Sequence, residues 1–227
     1  MASKYSAGLT KVVVTLLLIG PAFLLVFISS RGCEHKFKEL DDYGKVINYS
    51  FEDGDGKHFT SKDFKNEVVL VTTLQTTCPD TCAVSSWHLD QLIYQHIRKN
   101  RKKMKQVRII SFITDTKGNS VNDLSAIKAS MYDNIVGYDP KIWILAKGDA
   151  KSLYSIKHNG HSLLQKGEKY FGGEAYTELM LLLDKSNHLR MVGRGSNEGE
   201  IRRMNQHIAL LQKQYAKERK LKMSKNK

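Results

Sequence analysis

Cysteine and proline are both scarce in this chain. There are three cysteines in 227 residues, Cys33, Cys78 and Cys82. One pair with a third left over is too few for a disulfide scaffold, so a functional role explains the close pair better. The three prolines, Pro21, Pro79 and Pro140, are each positional. Pro21 interrupts an apolar run, where it kinks a helix rather than forbidding it. Pro79 stands between the paired cysteines. Acidic residues are outnumbered 23 to 36, giving a formal net charge of +13. The excess is concentrated: Lys213 to Lys227 carries seven basic residues and one Glu, and Arg98 to Lys105 carries six basic residues in eight. These read as solvated faces and a basic tail, or as contacts with anionic headgroups or an acidic partner. No aromatic-interleaved basic motif supports a nucleic-acid partner. Internal repeats are absent.

Only one long uncharged run exists. Val12 to Ile28 spans 17 residues, at the short end for a membrane span. It reads as an uncleaved signal anchor, or as a signal peptide cut before a lipidated Cys33. Arg31 stands where a lipoprotein signal wants a small residue, which favours the anchor. Flanking charges barely set the orientation. The expectation is a short N-terminus inside and the domain on the periplasmic or equivalent extracytoplasmic side.

The chain therefore divides into a short basic N-terminus (1–11), a membrane or signal segment (12–28), a linker (29–45), one α/β domain (46–215) and a basic tail (216–227). Within the domain, Val46 to Phe51 alternates like a half-exposed strand. The turn Asp53-Gly54-Asp55-Gly56 then returns it through His58-Phe59-Thr60 as an N-terminal β-hairpin. Glu67 to Leu74, Val107 to Thr114 and Ile142 to Ala146 read as buried strands. Ala83 to Arg98 and Val121 to Tyr132 have helical spacing, and Asp149 is a cap for another helix. Leu179 to Leu183 and His188 to Val192 read as a strand pair, and Ser196 caps a last helix to about Tyr215. This order predicts a mixed sheet flanked by helices.

The most informative segment is Thr76-Thr77-Cys78-Pro79-Asp80-Thr81-Cys82. It follows the first buried strand and opens a helix. Backbone N–H groups and the helix dipole there favour a thiolate, which makes a cysteine a better nucleophile and soft-metal ligand. Three intervening residues place the sulfurs about one turn apart. That spacing suits either a disulfide or a shared Cu(I). Cys78 and Cys82 are thus candidate catalytic thiols and candidate metal ligands. Pro79 suits the first helical turn. Asp80 opposes thiolate formation or acts behind a metal.

The Cys-Pro-Asp-x-Cys element resembles the Sco (SenC/PrrC) family. The Phe51–Lys57 turn with Phe59-Thr60, the strand Ile110–Asp115 and the Pro140–Gly148 stretch with Trp143 resemble it too. That resemblance implies a thioredoxin-like fold. It also implies copper delivery to, or thiol reduction at, the dinuclear copper site of cytochrome c oxidase, with a cytochrome c oxidase subunit or another thiol/copper protein as partner. The family binds copper through both motif cysteines and a distant histidine. Counting back from Asp184 places Tyr176 at that position, and no histidine lies between His161 and His188. A phenol with a pKa of about 10 is a poor ligand for Cu(I), whereas two thiolates can hold it at low coordination. The expected cargo is therefore copper, Cu(I) rather than Cu(II); His158 and His161, in an irregular stretch, read as solvated loop residues or as substitute ligands. No proline lies near Tyr176, where an ordinary thioredoxin-type oxidoreductase places one facing its thiols. A thiol peroxidase wants Thr where Gln75 stands. The rival reading is a metal-free thiol–disulfide relay or redox sensor on the same fold. Among weaker candidates, Asp115 reads as a strand-end cap or a group lining the site. Trp87 and Trp143 read as core, Met180 and Met191 as packing, and His88, His96 and His207 as surface or boundary residues.

Overall fold

The computed structural model describes residues 3–32, 40–75, 80–115, 117–155, 157–158, 161–162 and 179–225. The chain forms two compact units, Met1–Lys38 and Glu39–Lys227. The first unit is the helix α1 (Ser3–Gly32), with Pro21 inside it. Its described side chains, residues 11–27, are exposed apart from the half-buried Gly20. Among the described residues, no helix is long and apolar enough to cross a membrane.

The second unit is built on a seven-stranded sheet. Its strands are β1 (Ser50–Asp53), β2 (His58–Thr60), β3 (Val68–Gln75), β4 (Val107–Thr114), β5 (Trp143–Gly148), β8 (Leu179–Leu183) and β9 (Leu189–Arg194). The spatial order is β2-β1-β5-β4-β3-β8-β9. β3, β4 and β5 are parallel, and antiparallel strands close both sides. A separate ribbon pairs β6 (Lys157–His158) with β7 (His161–Ser162). The helices are α2 (Asp80–His88), α3 (Gln95–Lys99), α4 (Ser125–Asn134), α5 (Ala150–Tyr154) and α6 (Glu198–Lys225).

Strand alternation divides the core in two. On β3, Val68 and Leu70 face one hydrophobic cluster, with Leu89, Ile93 and Ile97 of the α2–α3 run and Ile201, Met204 and Ile208 of α6. Val69 and Val71 face the other, with Leu153 and Tyr154 of α5 and Phe51 and Phe64. Period-two side-chain direction on strands covered on both faces produces this division. A polar link crosses the first cluster: Trp143 Nε1 donates to Ser111 Oγ at 2.8 Å, and Ser111 Oγ lies 2.6 Å from Thr72 Oγ1.

Several elements differ in extent from the sequence reading. The helix expected over 83–98 contains a π-helical turn, Leu89–Tyr94, between α2 and α3. α4 starts at Ser125, because the Val121 N–H is still bonded to Ile113 O and Ser120 bridges Thr114. α6 is capped by Asn197, whose Oδ1 accepts the Glu200 N–H at 3.1 Å. It continues past Tyr215 to Lys225; the added turns contain neither Gly nor Pro. Trp87 is 58% exposed and Trp143 fully buried, so the core reading fails for Trp87. It lies two positions before buried Leu89, about 200° around a helix, and so faces away.

Candidate functional site

The central strands β3 and β4 run in register from Val68↔Val107 to Gln75↔Thr114. Their carboxyl ends form the mouth at which open α/β sheets bind ligands. β3 is apolar and β-branched, hence a buried strand, until its last turn toward the motif. Cys78 and Pro79 lie outside the described residues. Cys82 is in the first turn of α2, and its side chain also lies outside what is described. The described backbone places a buried strand before the motif and a helix after it. Tyr176 lies outside the described residues as well, and of His158 and His161 only the backbone pairing is described. Among the described residues, no group of three His, Cys, Asp or Glu converges on a metal position.

The motif helix is tied to the residue that follows the edge strand β9. His88 is buried, and its Nδ1 lies 3.1 Å from Gly195 O at the end of β9. The sequence reading of His88 as a surface or boundary residue understates this anchoring. A Cβ at Gly195 would lie 3.1 Å from Ser85 Cβ and 2.8 Å from Met180 Cε. Glycine therefore lets α2 approach the sheet closely. Met180 and Met191 are both buried in the first core cluster. Val84 and Trp87, by contrast, are exposed on α2.

Asp115 is a strand-end cap. It accepts the Lys117 and Asn119 N–H groups at 2.8 Å each and the Asn119 amide at 2.9 Å. Hydrogen bonds from the Asn119 side chain and backbone hold its carboxyl below the usual range.

Two residues beneath the mouth escaped sequence reasoning. Gln75 is 7% exposed and Thr114 fully buried, and among the described residues neither atom of the Gln75 amide nor Thr114 Oγ1 has a partner. Buried polar atoms are nearly always satisfied, so two orphans side by side mark a polar floor at the motif's strand ends. The only sequence signal was the change from Val-Val-Leu-Val to Thr-Thr-Leu-Gln along β3.

The sheet order and flanking helices are those of a thioredoxin-like fold. Residues 38–211 match the family described as SCO1/SenC, and the chain belongs to that family. No curated protein matches it. The chain is similar in structure to BsSco, described as a member of the Sco family of cytochrome c oxidase assembly proteins with a disulfide switch. The TM-score there is 0.54 at 18% identity, covering 79% of this chain and 99% of that one. It is also similar to Arabidopsis thaliana ScoI with copper bound, at TM-score 0.51 and 16% identity over 76% of this chain and all of that one. A SCO1/SenC family lipoprotein from Bacillus anthracis gives 0.50 at 21% identity, over 74% and 96%.

Proposed function

We propose that this protein handles copper, reduces thiols, or does both, during assembly of the copper site of a respiratory cytochrome c oxidase. Cys78 and Cys82 are the groups that act. The observation that carries the reading is the family match over residues 38–211, which contains a Cys-x3-Cys motif between a buried central strand and a helix start. As cargo, Cu(I) suits this donor set: two thiolates are soft and tolerate two-coordination. Without a histidine at position 176, the site favours Cu(I) over Cu(II). As a dithiol, the same pair gives up two electrons and two protons when it closes to a disulfide, and a client disulfide receives them.

Anchoring at a membrane, with the domain on the extracytoplasmic side, completes the proposal. Its support is the uncharged run Val12–Ile28 in the sequence. Lipidation of Cys33 is the alternative route to the same address.

The second reading, a metal-free thiol relay, is favoured by one feature, the Tyr at position 176. Anaerobic titration of the reduced chain with Cu(I) against a competing chelator separates the two. One equivalent bound, and lost in Cys78→Ser, supports copper handling. Absence of binding, together with reversible closure of the Cys78–Cys82 disulfide, supports the relay.

A further inference from the structure

Two histidines are register partners in the short ribbon outside the main sheet. β6 pairs antiparallel with β7, placing His158 opposite His161 and Lys157 opposite Ser162. Asn159 and Gly160 stand between the histidines in the sequence, the dipeptide that most favours a two-residue hairpin turn. Residues directly opposite in an antiparallel pair share one face of the ribbon, with Cβ atoms about 4.5–5.5 Å apart. His158 and His161 therefore share a face. With metal–nitrogen bonds of about 2.0 Å, that spacing is one a single ion can bridge.

Hairpin stability does not account for the pairing. Opposed histidines give a ribbon neither an apolar pair nor an ion pair. Each strand here has two residues, and so short a ribbon is marginal by itself. A metal held by its closing pair would staple it.

The fold places this ribbon at the end of the sheet that carries the dithiol motif. β3 leads into the motif after Gln75, and its Val71 pairs with Leu181 of β8. β8 starts at Leu179, two residues nearer the motif end. The helix α5 is tied to the same point, since Tyr154 Oη donates to Leu179 O at 2.7 Å. The connection from α5 to β8 thus begins and ends toward the motif end of the central strands, and the ribbon lies within it. His158 is four residues after Tyr154, a reach of about 14 Å at full extension.

Donor chemistry selects the ion. Neutral imidazole suits Cu(II), Ni(II) and Zn(II), and among divalent first-row ions Cu(II) binds a nitrogen site most tightly. We propose that His158 and His161 form a two-nitrogen site for Cu(II), at the end of the domain that carries the dithiol. The other positions of the ion are left to water or to an incoming ligand. Softness divides the two sites, with thiolates for Cu(I) and imidazoles for Cu(II). The site deepens the copper reading of the dithiol and rests on it only for copper being the ion encountered. Neither site needs the ligands of the other.

The test is titration of the full chain with Cu(II) in non-ionic detergent. The chain carries Cys33→Ser, Cys78→Ser and Cys82→Ser, so that no thiol competes for the ion or reduces it. Glycine is the competing chelator, and pulsed EPR counts the bound imidazoles from the echo modulation of their remote nitrogens. The expected result is one Cu(II) per chain with modulation from two imidazoles, and weaker retention of Zn(II). Adding His158→Ala or His161→Ala lowers the affinity at least about tenfold, because the second imidazole is no longer supplied at a high effective concentration. The remaining signal is that of a single imidazole. The ribbon is separate from the seven-stranded sheet, so the metal-free variants keep the same thermal midpoint. Two outcomes overturn the proposal. One is that no binding survives glycine. The other is that affinity and modulation are unchanged with both histidines replaced, which assigns the ion elsewhere among the eight histidines of the chain. The dithiol reading is scored separately, by Cu(I) titration of the unaltered chain, and its failure leaves this result standing.

Discussion

Trp143 shows how a single side chain can serve both packing and hydrogen bonding. It is fully buried, and its indole N–H reaches Ser111, which in turn meets Thr72. Trp143→Phe removes that donor and leaves a void in the centre of the sheet. The expected loss is about 2–4 kcal/mol in urea unfolding. Trp87→Phe, on an exposed ring, should change stability by no more than about 0.5 kcal/mol. Equal effects at the two positions would refute the assignment of one to the core and the other to the surface. The sequence could not separate them, since both lie in runs of apolar spacing. Nor did it mark Gln75 and Thr114, because the orphan status of a polar atom depends on what surrounds it.

At the scale of elements, Gly148 decides how β1 docks on β5. A Cβ there would lie 2.8 Å from Ser50 O and 3.0 Å from Phe51 Cβ. The first of these is backbone, which cannot swing aside as a flexible side-chain end can. Gly148→Ala should therefore cost about 1–3 kcal/mol and loosen the β1–β2 hairpin first, seen as faster amide exchange at Phe51 and Phe59. Exchange unchanged at those positions would show that the strand tolerates the shift. Most elements were legible because hydrophobic period reports burial. Val107–Thr114 and Leu179–Leu183 form strands with the bounds read from the sequence, and Asp149 caps α5 by accepting the Ser152 N–H at 3.1 Å. Boundaries failed where a tertiary bond competed with local propensity. The Val121 N–H is drawn back to β4, and Lys185 grips Glu218 on the extension of α6.

For the whole molecule, the division after Lys38 has a consequence for folding. The unit Glu39–Lys227 contains both core clusters and every strand of the seven-stranded sheet. A fragment starting at residue 39 should unfold in one cooperative transition, with a midpoint within a few degrees of the full chain. A broad transition or a molten fragment would mean that residues 1–38 supply part of the fold. The charge excess also belongs to this scale. It is distributed over the helix end at 98–105 and the α6 extension, and so acts as separate local fields rather than one.

The sequence alone determined the class of fold and the chain order of the strands in the main sheet, because period and turn residues are local properties. Only the tertiary structure decided which tryptophan is core, how glycine lets α2 and β1 sit close, and where Gln75 and Thr114 are left without partners among the described residues. Those outcomes depend on segments far apart in the chain meeting in space, and no local pattern encodes which neighbour a side chain will find or fail to find.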